Sequence, residues 1–341
     1  MPTSEVIELF GHSDVKLLAE VFYAEVDAKC IVMLMHGGGQ TRHSWTAVAQ
    51  ALSREGYTAV TYDARGHGDS AWAPDGDYSF EVLALDLLAV RRQLAATGPV
   101  VGVGASMGGL ALIAATDIAP DEKWDGLVFV DVTPRLETDG LLRIFDFMTA
   151  HPEGFDSLDQ VAEAIATYSP GRSRSGGHEG LRKIVKRGED GKWRWHWDPQ
   201  FIADRAALAR SGAAWVEFLD DLEKDMIEKA RRIHSPALLV RGYSSDVVSD
   251  DSAAHFMQHV PHARVEVVTN AGHMVAGDSN DAFVRATLEF LSELQTDLLQ
   301  LGHPAQRKAL ISFEARGSER ENVVPRVSRS LLNGRDHSQP R

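Results

Sequence analysis

Ser106, Asp246 and His273 are residue types that could share acyl-transfer chemistry, and each lies just beyond an apolar run. Ser106 sits in Gly104-Ala105-Ser106-Met107-Gly108-Gly109, between the apolar stretches Val100–Gly104 and Met107–Ile118. A serine hydroxyl attacks a carbonyl only when it projects from its turn and a nearby base takes its proton. A strand–turn–helix with glycines two positions to either side provides that projection and leaves a backbone N–H free behind the hydroxyl. The start of a helix also favours developing negative charge. G-x-S-x-G is common by chance, so its weight comes from this context.

A base and an acid must reach the same point. Among 14 histidines, His273 stands out because it follows the strand-like run Ala263–Thr269 in Asn270-Ala271-Gly272-His273-Met274. Asp246 follows Ala237–Arg241 in Gly242-Tyr243-Ser244-Ser245-Asp246, one strand earlier. The order Ser, Asp, His then matches that of α/β-hydrolase triads. Asp131 is the rival acid, since it too ends a strand, whereas Asp250 and Asp251 belong to the start of a following helix. Upstream, His36-Gly37-Gly38-Gly39 follows the apolar run Cys30–Met35. It resembles the loop that supplies an oxyanion donor in lipases and esterases. The expected donor pair is the N–H of Gly38 with that of Met107, while His36 is expected to brace the loop.

Other readings of these residues carry less. Gly102-Val103-Gly104 with Gly108 and Asp131 outlines a dinucleotide-binding unit, but the third glycine is one position late and at least three strands precede it. His255 and His259 share a helical face, yet no Glu follows His255 as a zinc-protease helix requires. Trp193, Trp195 and Trp197 alternate as on a strand and read as packing, with one of them open to a substrate. No metal or cofactor is called for.

The elements that must position these groups alternate short apolar runs with longer amphipathic ones, the signature of a parallel sheet with crossover helices. Strands are expected at 5–10, 15–23, 30–35, 58–62, 100–104, 127–132, 237–241 and 263–269. Helices are expected from Ser44 to Glu55, Ser79 to Thr97, Met107 to Ile118 and near Asp281–Leu294. Residues 135–235 interrupt the pattern with a mostly helical insert carrying a Gly/Ser/Arg-rich patch. Such an insert lies over the carboxyl ends of the strands, where these folds bind ligands, and is read as a lid or cap. The expected organisation is a core of residues 1–134 and 236–300, a cap of 135–235 and a polar basic tail of 301–341. From Gly302 onward eight Lys/Arg face four Asp/Glu, with little apolar periodicity, so the tail reads as flexible.

The net charge of −14 argues against a nucleic-acid partner. No stretch approaches the roughly 18 apolar residues of a membrane span. The single cysteine, Cys30, excludes an internal disulfide and reads as a buried thiol. No secretion signal is visible, so a cytoplasmic location is the expectation; a homo-oligomer is left open.

Asp63-Ala64-Arg65-Gly66-His67-Gly68-Asp69-Ser70 resembles the D-x-R-G-x-G-x-S loop of the α/β-hydrolase superfamily. With the Gly38 loop, the Ser106 turn, Asp246 and Gly272-His273, the likeness spans residues 25–295 in order. It is closest to the capped branch that holds esterases, lactonases, carbon–carbon hydrolases and perhydrolases. Epoxide hydrolases and haloalkane dehalogenases carry Asp where this chain has Ser106. The resemblance implies a mostly parallel central sheet with helices on both faces and a helical cap. It further implies a small ester or lactone substrate cleaved through an acyl-enzyme. Carbon–carbon cleavage would need a cationic clamp, for which Arg172, Arg174 and Arg182 are candidates. A ligand receptor on the same scaffold is the non-enzymatic alternative, disfavoured by a complete set of catalytic groups.

Overall fold

The computed structural model describes residues 3–25, 28–94, 96–169, 177–275 and 280–300. The expected tail, with Arg172 and Arg174, lies outside these residues. Eight strands form one sheet in the order β1-β2-β4-β3-β5-β6-β9-β10. They are β1 (Ser4–Phe10), β2 (Lys16–Phe22), β3 (Ile31–Met35), β4 (Thr58–Tyr62), β5 (Val100–Ala105), β6 (Gly126–Val130), β9 (Ala237–Gly242) and β10 (Arg264–Val268). β1 and β2 are antiparallel to each other, and β2 is antiparallel to β4; the pairs from β4 to β10 are parallel.

Strands covered on both faces read as unbroken apolar runs, and alternate side chains enter different cores. Ile31, Met33 and Met35 of β3 enter one core with α2 (Phe80–Gln93), α3 (Met107–Ile118) and α9 (Asp250–His259). Val32 and Leu34 enter the other, against α1 (Thr46–Arg54) and α10 (Asn280–Gln300). Cys30 is buried there, and burial pushes its thiol well above the usual range, which leaves it unreactive. Expected and observed elements agree to within a few residues. The α1 segment begins as a 3-10 turn at Arg42–Trp45, and α10 runs to Gln300.

Between β6 and β9 come α4 (Thr138–Thr149), α5 (Leu158–Tyr168), α6 (Gly177–Leu181), a hairpin of β7 (Val185–Arg187) and β8 (Trp193–Trp195), α7 (Pro199–Ala209) and α8 (Ala213–Ala230). A third apolar cluster seats this insert on the core. Met107, Ala111, Tyr78 and Leu83 meet Phe145 and Met148 of α4, Phe201 and Ile202 of α7, and Trp215 of α8. The hairpin explains the alternating tryptophans: Trp195 and Trp197 stack at 4.9 Å. No described helix is long and apolar enough to cross a membrane.

Candidate active site

Ser106 links β5 to α3 with φ 47° and ψ −116°. A non-glycine residue there costs about 1–3 kcal/mol and persists only where its surroundings enforce it. Here they do. A Cβ on Gly104 would lie 2.5 Å from the Gly108 carbonyl oxygen, and one on Gly108 would lie 2.7 Å from that of Met35. Helix and strand therefore meet backbone to backbone, and Ser106 takes the bend. The Met107 N–H, at the first position of α3, has no acceptor within its helix.

His273 lies beyond β10 with its side chain 10% exposed, and its Nδ1 is 2.7 Å from Oδ2 of the fully buried Asp131. Asp131 also accepts from the Gly242 N–H at Oδ1 (2.9 Å) and from Ser245 Oγ at Oδ2 (2.5 Å). The expectation that Asp246 is the partner of His273 is therefore corrected to Asp131. Gly242 is wedged against the Gly272 and Ala271 carbonyls, and Ser244 donates to the Ala271 carbonyl, so the turn after β9 is tight. It aims Ser245 inward. Asp246 faces the insert instead and pairs with Arg143 of α4 at 2.6 Å.

The Gly38 loop is braced by three buried histidines. The N–H groups of Ala64, Gly39 and Gly68 donate to Nε2 of His36 (3.0 Å), Nε2 of His67 (3.1 Å) and Nδ1 of His196 (2.7 Å). The opposite ring nitrogens therefore carry the protons and donate to the carbonyls of Gly37 (2.8 Å), Arg65 (3.0 Å) and Gly39 (3.2 Å). Each ring must be neutral to make both bonds. Burial lowers the pKa of all three, His196 to about 4. Of the loop amides, Gly37 donates to Gln40 Oε1, Gly39 to His67 and Gln40 to the Gly37 carbonyl. The Gly38 N–H is the one left without an acceptor among the described residues.

Because the folded pKa of His196 lies below its ordinary 6.5, its contribution to stability is complete above pH 6.5 and disappears as pH falls towards 4. For His196 alone the loss is about 3 kcal/mol. Urea midpoints for wild type and His196→Gln at pH 7.5 and 4.5 check this. The wild type should lose more stability between the two pH values than the variant, and parallel losses would exclude the assignment.

Ser106, Gly37, Gly38, Met107 and His273 line one cavity of about 920 Å³. Its remaining wall is mainly the apolar face of the insert, with Phe145, Trp195, Trp197, Phe201 and Trp215. Trp195 and Trp197 thus face the space that a substrate would fill, and Trp193 does not line it. Arg182, the remaining clamp candidate, is exposed and is not among the lining residues. His255 and His259 contact each other at 3.3 Å, with Glu223 3.6 Å from His255. No metal-binding cluster occurs among the described residues. One cavity wall thus carries a serine hydroxyl, a histidine whose Nδ1 meets a buried carboxylate, and the residues of two N–H groups, the set of groups that acyl transfer uses. His67, His196 and Phe201 escaped the sequence reading; for His67 the only signal was its place in the Asp63–Ser70 motif.

Residues 31–286 match the model of the alpha/beta hydrolase family. An esterase of Mycobacterium tuberculosis, Rv0045c, is 32% identical over 74% of this chain and 80% of its own length. The sn-1-specific diacylglycerol lipase ABHD11 of Mus musculus is 28% identical over 76% of this chain and 80% of its own. The crystal structure of E-2-(acetamidomethylene)succinate hydrolase superposes with a TM-score of 0.71 at 24% identity, covering 84% of this chain and 100% of that one.

Proposed function

This chain belongs to the alpha/beta hydrolase family and is a hydrolase, and from that premise we propose that it cleaves carboxylic esters or lactones through a covalent acyl-enzyme on Ser106. The observation that carries the reading is the 2.7 Å contact between His273 Nδ1 and buried Asp131, with His273 and Ser106 lining the same cavity. With Nδ1–H held by the carboxylate, Nε2 is the free base. It takes the Ser106 proton as Oγ attacks the acyl carbon, and then returns it to the leaving alcohol. Asp131 stabilises the imidazolium formed in between. The N–H groups of Gly38 and Met107 hold the oxyanion, a contribution of about 3 kcal/mol per donor in comparable sites. Water repeats the cycle to release the acid.

The names of the relatives, an esterase and a diacylglycerol lipase, support an ester as the bond cleaved. The mainly apolar insert wall suits a substrate whose bulk is hydrocarbon. An organophosphonate should label the wild type at a single site, located at Ser106 by peptide mass spectrometry, and should not label Ser106→Ala. Labelling of that variant, or an unlabelled wild type, would remove Ser106 from the role.

A further inference from the structure

Two cations that the ester chemistry does not use line the cavity, the exposed Lys183 and the partly buried Arg205, and only the second stands beside the Gly38 loop. Arg205 of α7 lies one helical turn from Phe201, whose ring edge lies 3.4 Å from where a Cβ on Gly38 would stand. The guanidinium lies 5.3 Å from the ring centres of both Phe80 and Phe201. Its bonds go to main-chain carbonyls, of Tyr78 at 2.7 Å and of Phe201 at 3.4 Å. The chain has 49 acidic against 35 basic residues, so carboxylate partners are plentiful. Every other described arginine that is buried or partly buried has one: Arg42, Arg65, Arg91, Arg135, Arg194 and Arg241. Arg205 alone among them has no carboxylate in ion-pair contact among the described residues; the charges of Asp77 and Asp204 act on it only from farther away. Asp198, on the same helix end, is taken by the Tyr78 hydroxyl and the Gln200 N–H.

A guanidinium has five N–H donors in a planar fork and matches a carboxylate with two parallel bonds. Two aromatic faces hold Arg205 in place and keep water off its flanks, where a charge-assisted bond is stronger than in bulk solvent. Two further unused donors also line the cavity: the buried indole N–H groups of Trp195 and Trp215 have no partner among the described residues.

We propose that Arg205 is a specificity residue that binds a carboxylate at the far end of the substrate, so that the preferred substrates are half-esters of dicarboxylic acids. The inference rests on Ser106 as the reacting group. One phenyl ring separates the oxyanion donor from the guanidinium, so the two carboxyl carbons are a short methylene chain apart.

The test compares monoethyl adipate with ethyl hexanoate, a neutral ester of similar length, in a pH-stat at pH 7.5. The wild type should favour the half-ester in kcat/KM by at least tenfold. Arg205→Gln should reduce that ratio tenfold or more, chiefly through KM, and Arg205→Lys should restore part of it. Calorimetric binding of both esters to Ser106→Ala separates this inference from the hydrolytic one. Tighter binding of the half-ester there upholds the carboxylate site even if no turnover is found. A wild type that binds and hydrolyses the two esters alike overturns it, as does an unchanged ratio in Arg205→Gln. Should Arg205→Gln fail to fold, the wild-type preference and the Arg205→Lys variant decide.

Discussion

Replacing Asp131 with Asn lowers kcat by about 10⁴-fold, while Asp246→Asn stays within about threefold of the wild type. The size follows from which oxygen does what. The Gly242 N–H donates to Oδ1 of Asp131, so the amide of an asparagine must place its oxygen there. Its NH₂ then occupies the Oδ2 position, against His273 Nδ1. An NH₂ can only donate, which forces Nδ1 to accept and moves the imidazole proton to Nε2. The base then has no lone pair for the serine proton. Asp246→Asn weakens only a partly exposed pair with Arg143, which is worth about 1 kcal/mol or less. Steady-state turnover of p-nitrophenyl acetate measures both, with thermal melts to show that the variants are folded. Loss of activity confined to Asp246→Asn would reverse the assignment.

The second large effect concerns stability. Asp86→Ala should lower the unfolding free energy by about 3–5 kcal/mol, because it strands a buried guanidinium. Arg65 and Asp86 are 2% and 1% exposed, and two nitrogens of Arg65 meet the two carboxylate oxygens at 2.7 Å each. The His12 N–H donates to the same carboxylate (2.7 Å), and Arg65 donates to the His12 carbonyl (2.9 Å). The turn between β1 and β2, the loop beside the candidate site and α2 are thus joined through one ion pair. Burial raises the Asp86 carboxyl above its ordinary range despite the guanidinium, so desolvation is the larger force and an unpaired partner is costly. Urea denaturation gives the number, and Arg65→Met with Asp86→Leu should recover most of the loss. Full stability in Asp86→Ala would mean that Arg65 is hydrated in place.

The sheet was legible in the sequence because both of its faces are covered. Runs such as Ile31–Met35 and Gly126–Val130 have no polar side and can only be interior strands. The Ser106 turn was legible for a similar reason, since only glycine at 104 and 108 permits that approach. Which aspartate meets His273 was not. Asp131 and Asp246 both follow parallel strands, and the outcome depends on which side chain of the β9 turn points inward. That is decided by the wedge of Gly242 against residues 271 and 272 and by the contact of α4 Gly140 with the Asp246 carbonyl. Neither contact has a local sequence signature. The histidine brace was hidden for want of proximity, because His196 lies 128 residues from Gly68 and 157 from Gly39.

His196 hangs from the insert, yet both of its bonds end on the core. The neighbouring Asp198 N–H donates to the Gly66 carbonyl at 2.8 Å, and its carboxylate holds the Tyr78 hydroxyl at 2.5 Å. Together these ties form a seam that runs alongside the Gly38 loop. A flap hinged open across that seam would dislocate the Gly38 loop each time the cavity emptied. Traffic through the site that leaves the catalytic groups aligned must therefore use the parts of the insert beyond residues 196–198, with the seam as a fixed pivot.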